Sequence, residues 1–313
     1  MNIAYNKNSR IYNFSGGKMN YLGESFAFIT AVGWAVSSII FELAAKRSDS
    51  LSVNVIRLIM GIVFLGIITL FTKGMFLPMD STAHNWTFLG ISGAIGLFIG
   101  DMFLYEAYVL IGARICMLFM TLTPLIVGSF GFIILGEKMT LIQTAAMFIT
   151  CSGILMVVLK PKNKNSSEET KLSSKGILFI ILAVTFEALG NIFTKIGSAG
   201  YDSSSSTQIR MICAFGVFIV YITLKRRWKH IFRAFSDRKL MIYIAGGTIS
   251  ATVGITFLVS AFNLINTGVA STISSISPVL VIPISMVVFK EKIKVKEIIG
   301  AFVSVAGIAL FFL

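Results

Sequence analysis

The chain has 313 residues, of which 56% are hydrophobic and 13% charged, and its mean hydropathy is +0.86. A soluble domain carries about 25% charged residues, so this composition cannot coat a water-soluble surface, and lipid is the expected solvent for much of the chain. The net charge of +13 comes from 27 Lys and Arg against 14 Asp and Glu, placed in short runs between apolar segments such as Lys225-Arg226-Arg227-Trp228-Lys229. That placement points to loops beside anionic headgroups and away from nucleic acid.

Taken in chain order, residues 1–21 form a polar tail with Lys7, Arg10 and Lys18. The apolar run behind it is too long for a signal h-region and lacks a small-residue cleavage site, so it reads as an uncleaved first helix. A membrane crossing needs about 20 mostly apolar residues. Ten windows qualify: 22–44, 51–71, 87–110, 115–135, 141–159, 176–197, 205–224, 240–263, 268–289 and 295–313. The longer connections are 72–86, the polar stretch PKNKNSSEETKLSSK at 161–175, and the basic segment 225–239. The middle one makes residues 160–175 the natural linker between a first half, 22–159, and a second, 176–313. Cys116, Cys151 and Cys213 each lie alone in an apolar run, which implies neither a disulfide framework nor a metal site. No cofactor is expected.

The two halves repeat one another. A slide of 154 residues carries Gly93 onto Gly247, Gly100 onto Gly254, Phe103 onto Phe257, Ala107 onto Ala261, Pro124 onto Pro278, Glu137 onto Glu291 and Gly153 onto Gly307. Near the front a slide of 153 carries Arg57 onto Arg210. Five helices per half is an odd number, so the second half enters the membrane from the opposite side to the first. The expected fold is therefore all-α, ten transmembrane helices in two inverted five-helix repeats, with a site between the halves near the midplane. Lys and Arg in the connections number five on the side of the N-terminus and 19 on the other, with three inside helix windows. The positive-inside rule then places both termini away from the cytoplasm.

The residues that carry the repeat also resemble a known family. "AVGWAVSSII" in the first helix, "TLTPLIVGSFGFIILGEKM" in the first half and "SISPVLVIPISMVVFKEKI" in the second are similar to the EamA-type branch of the drug/metabolite transporter superfamily. The likeness runs from about residue 22 onward. It implies a central cavity lined by helices 1, 3, 4, 6, 8 and 9, with 5 and 10 peripheral. It also implies secondary transport of metabolites such as amino acids, or of drugs, across the cytoplasmic membrane. The second half has Lys290-Glu291 where the first has Gly136-Glu137, so the turn between helices 9 and 10 is expected to differ.

Ionisable groups inside membrane helices are expensive and usually functional. Glu187 sits mid-helix with Asn191 and Thr194 on its face, and the repeat sets it against Trp34; an aromatic and a carboxylate facing each other across one cavity would suit an apolar or cationic substrate. The competing reading pairs Glu187 structurally with Lys195 or an arginine. Asp101 follows Gly100 and shares a face with Tyr105, whereas Glu106 points about 140° away. Either acid is a candidate proton site, and either is equally open to neutralisation by Arg57 or Arg114. Arg57 and Arg210 sit near the starts of helices 2 and 7. Snorkelling to the interface is the simpler expectation for them, and gripping a substrate carboxylate the sharper one. Pro124 and Pro278 are expected inside helices 4 and 9 as kinks, freeing the carbonyls of Met120 and Ser274. Ser274 belongs to a hydroxyl-rich stretch suited to packing, to re-satisfying the backbone, or to lining a path.

No GxxxxGK[ST] motif is present, so ATP is not the expected driver. An intramembrane enzyme is disfavoured: "GISG" at 90–93 has no base beside it, since the two histidines, His84 and His230, fall in loops or at helix edges. A scaffold or sensor is weakened by the lack of an attached soluble domain. The expectation is a monomeric proton-coupled exporter of a small molecule, with exchange or uptake as the alternative.

Overall fold

The computed structural model describes residues 21–45, 47–111, 116, 119–120, 122–158, 173–277, 279–280 and 295–310. The polar tail, Arg114, Pro278, Lys290-Glu291 and nearly all of the linker fall outside the described residues, as does the side chain of Tyr105. Among the described residues all regular structure is helical.

In the first half α1 is Leu22–Ala45, α2 Ser50–Lys73 and α3 Ala83–Ser92; a π-helical stretch, Gly93–Gly100, continues α3 into α4, Asp101–Ile111. Then follow α5, Thr123–Leu135, and α6, Leu141–Val158. In the second half α7 is Ser174–Ser198, α8 Ser203–Lys225, α9 the short Trp228–Phe235, α10 Arg238–Leu264, α11 Thr267–Ser274 and α12 Val295–Ala309. The starts are local sequence effects. Asp49, Thr82, Ser173, Asp202 and Asp237 cap α2, α3, α7, α8 and α10 through side-chain oxygens that accept backbone N–H groups. Thr82 and Asn85 complete a reciprocal capping box.

Among the described residues six helices are long and apolar enough to cross a membrane: Leu22–Phe41, Leu51–Lys73, Ala83–Leu104, Ser174–Ser198, Ser203–Lys225 and Arg238–Leu264. Shorter apolar helices, Thr123–Leu135, Leu141–Met156 and Ile298–Ala309, stand where three further windows are predicted.

The halves do not sit side by side as separate lobes. The helix contacts that dominate the bundle join one helix of each half: α1 with α10, α4 and its π stretch with α7, α2 with α8, α5 with α11, and α6 with α12. Several come in repeat-related pairs. Gly23 abuts Leu264 and Ile265, and Gly176 abuts Leu110 and Ile111; Gly153 abuts Ser304, and Gly307 abuts Thr150. The sequence repeat is thus written in the packing, with small residues letting backbones approach where lipid supplies no hydrophobic drive.

Pro124 stands in the first turn of α5, behind Leu122. Residues 116 and 119–120 before it are also helical, and residue 121 between them and Leu122 lies outside the described residues. One feature departs from the expected regular helices. The third helix is not uniformly α: four glycines between 90 and 100 loosen it into the π stretch. Such a bulge is frequent at functional sites.

Candidate functional site

The π stretch positions the site. Gly93 lies directly against the carbonyl of Arg210, and Gly96 against Gly190, where a methyl group on Gly190 would sit 3.0 Å from the Gly96 Cα. The backbones of α7 and α8 therefore come close to the third helix, and the side chains one turn further on meet. Asp101 opens α4 at the end of the π stretch, and Glu187 lies mid-α7 beside it, its N–H 3.5 Å from where a Gly100 methyl would be. Arg57 and Arg210 lie about two turns into α2 and α8.

Arg57 donates from Nη2 to Asp101 Oδ2 in an ion pair, both side chains more than four-fifths buried. Its guanidinium also lies 5.8 Å from the Phe41 ring centre. Arg210 is 4% exposed, and its Nε is buried without a hydrogen-bond partner among the described residues. Glu187 lies within electrostatic reach of Asp101, Arg210 and Arg57. Among the described residues it shares no direct ion pair with any of them. Two carboxylates and two guanidinia thus occupy one site, two contributed by each half, and their formal charges cancel. A narrow cavity with room for about one water molecule adjoins Arg57, lined also by Phe41, Leu58, Leu97, Thr248 and Thr252. The Thr248 and Thr252 hydroxyls are buried without partners among the described residues.

The sequence-predicted residues divide. Asp101, Glu187, Arg57 and Arg210 come together, and the arginines do not snorkel: both side chains are largely buried in the bundle, Arg57 paired with Asp101. Trp34 lies in the α1–α10 contact, its Cδ1 3.1 Å from where a Gly254 methyl would stand. No hydrogen bond joins it to Glu187 among the described residues. Asn191 is buried on α7, and Thr194 is tied into the α3–α7 seam by bonds to Ser92 and the Gly190 carbonyl at 2.7 and 2.8 Å. Ser274 is buried, its hydroxyl donating to the Ser271 carbonyl, while Ser277 donates to the Ser274 carbonyl at 2.7 Å. That is the carbonyl expected to be freed, re-satisfied by a neighbouring hydroxyl. Glu106 is exposed on α4. The roles proposed for Tyr105 and Pro278 concern atoms outside the described residues.

Lys195 pairs with Glu137, not with Glu187. Glu137 also accepts the N–H and hydroxyl of Thr267 at 2.9 and 2.7 Å, and Lys195 donates to the Ile265 carbonyl at 3.0 Å. This knot ties the end of α5 to the end of α7 and the start of α11, where a carboxylate also complements the helix dipole. Sequence reading missed it. The available signal was the recurrence of Glu137 as Glu291, paired with a lysine near a helix end.

A family model described as the EamA-like transporter family matches residues 21–159 and again 174–313. The crystal structure of another protein aligns over 92% of this chain and 96% of its own with a TM-score of 0.70 at 14% identity, a likeness of fold alone. None of the curated proteins matches the chain. With the same family model fitting both halves, the chain belongs to the EamA-like transporter family.

Proposed function

We propose that the chain crosses the cytoplasmic membrane ten times in two inverted repeats, with both termini away from the cytoplasm. It works as a monomer, moving an amino acid, an amine or a drug-like compound by alternating access. The observation that carries this reading is the charge cluster: Asp101, Glu187, Arg57 and Arg210 meet among apolar helices, two from each half. Groups so costly to bury are retained where substrates or protons pass. Arg57 and Asp101 form an ion pair. Among the described residues Glu187 and Arg210 keep one cation-binding and one anion-binding group without a direct hydrogen-bond or ion-pair partner, which suits the two ends of an amino acid.

Proton-coupled export is the first reading. A proton and a substrate ammonium compete for the Glu187 carboxylate, so a proton entering from one side displaces the substrate toward it. The Glu137–Lys195–Thr267 knot supports a gate at one mouth, because it joins elements of both halves. An exchanger or uptake carrier is the second reading, and would use the same four residues with a second substrate in place of the proton.

A thermal-shift screen of amino acids and amines on purified protein tests the site. A ligand at a hundred times its dissociation constant stabilises the fold by about 2.7 kcal/mol. The expected result is stabilisation by a subset of the panel that Glu187→Gln abolishes. Equal shifts in the variant, or none with any compound, would refute binding at this cluster.

A further inference from the structure

The strongest uncommitted feature lies at the opposite end of α8 from Asp202. Residues 225–239 hold seven Lys or Arg (Lys225, Arg226, Arg227, Lys229, Arg233, Arg238 and Lys239) against a single acid, Asp237. All seven are exposed. Asp237 is already committed: it accepts from Arg47 Nε at 2.5 Å and from the N–H groups of Lys239 and Leu240. The positive charge of this segment is therefore unopposed by its own acid.

Helix α9 arranges that charge. At about 100° per residue, Trp228, Phe232 and Phe235 fall in one arc, Ile231 and Ala234 in a second, and Lys229 and Arg233 in a third, roughly a third of a turn apart. Ile231 and Ala234 are buried against α2 and the ends of α1 and α10, among Val55, Leu58 and Val53. Two of the three aromatics are exposed, Phe232 at 64% and Phe235 at 39%, while Trp228 is half-buried against the core that holds Ile231; Leu224, at the end of α8, is 77% exposed. Trp228 stacks on Phe232 with ring centres 6.0 Å apart. Arg226 takes a left-handed φ of 54°, uncommon for a residue with a side chain, and turns the chain sharply enough for α9 to lie across the bundle end.

We propose that α9 and its flanking basic residues form a docking surface for the anionic lipid leaflet. The aromatic arc enters the hydrocarbon edge, and Lys225, Arg226, Arg227, Lys229 and Arg233 hold phosphate headgroups. A short helix with one face on protein, one aromatic and one basic has the chemistry of an interfacial anchor. Clustered Lys and Arg beside a membrane helix are the recognised complement of anionic headgroups. This surface is separate from the charge cluster and stands whether or not that cluster binds substrate.

The test uses the full-length chain in detergent micelles, titrated with phosphatidylglycerol, with phosphatidylcholine of the same acyl chains, and with inorganic phosphate. Bound lipid is counted by native mass spectrometry and the melting temperature is followed in parallel. The expected result is preferential retention of phosphatidylglycerol, about fivefold for each basic residue engaged, which fades as salt rises from about 50 to about 500 mM. Inorganic phosphate leaves the melting temperature unmoved. In the variant carrying K225Q, R226Q, R227Q, K229Q and R233Q the preference disappears. Equal retention of the two lipids by the unaltered protein, a preference insensitive to salt, or a melting shift reproduced by phosphate overturns the proposal. The salt series needs no variant, so it decides the question even if the substituted protein folds poorly.

Discussion

The α1–α10 contact and the α4–α7 contact are one contact made twice by the duplicated chain, and they differ in what they hold. Each sets a glycine against the neighbouring helix, Gly254 in the first and Gly100 in the second. In the first, Trp34 fills the space with an indole. In the second, the repeat-related position is Glu187, a carboxylate facing Asp101 and two arginines. Duplication supplied the helix crossing; divergence made one copy an apolar joint and the other a charged site. The functional asymmetry of a symmetric scaffold therefore rests on a few side chains.

The comparison can be broken most severely at the charged copy. Arg57→Ala strips Asp101 of its ion-pair partner inside the bundle, and removing one member of a buried pair costs about 3–5 kcal/mol. Denaturant unfolding in detergent is expected to show a loss of that order, and a loss within experimental error would mean that Asp101 is solvated or neutral. A smaller effect separates the two glycines. A methyl at Gly254 stands 3.1 Å from Trp34 and 3.3 Å from the Thr30 carbonyl, whereas at Gly100 the nearest atoms are at ordinary contact, 3.5 Å. Gly254→Ala is expected to cost about 1 kcal/mol or more and Gly100→Ala less. The reverse order of melting temperatures would show that the two contacts are not built as described.

The smallest effect lies at the rim of the apolar copy, where Arg47 beyond α1 meets Asp237 at the start of α10. The hydrogen bond from Arg47 holds the Asp237 carboxyl below its ordinary 3.8. A carboxylate lowered in the folded state contributes stability that is present above its unfolded pKa and lost as pH falls through the folded one. The α1–α10 joint is thus expected to soften slightly below about pH 4, and Asp237→Asn to flatten that part of the melting profile. An unchanged profile in the variant would remove Asp237 from the account.

Much of this architecture was legible in the sequence, because hydropathy and the spacing of Pro, Gly and Glu act over long stretches. The repeat paired Arg57 with Arg210 and Gly100 with Gly254 before any packing was seen. The partners were not legible, because side-chain pairing depends on helix rotation. Helix periodicity placed Asp101 and Glu187 on faces without showing that Arg57 would reach one acid and Lys195 would turn away from the other to Glu137. The π stretch was hidden for a related reason. Its glycines announce close packing, but the register shift that aims Asp101 at Arg57 follows from the backbones of α8 and α7 lying against Gly93 and Gly96.

In the proposed function the charged copy, through Glu187, exchanges protons for substrate. The most direct measurement loads proteoliposomes with a pH-sensitive dye and adds, from outside, an amino acid or amine that stabilises the purified protein. A substrate-dependent change of internal pH is expected with the unaltered chain and none with Glu187→Gln, while Trp34→Phe keeps it. Equal proton movement in the unaltered and Glu187→Gln proteins would contradict it.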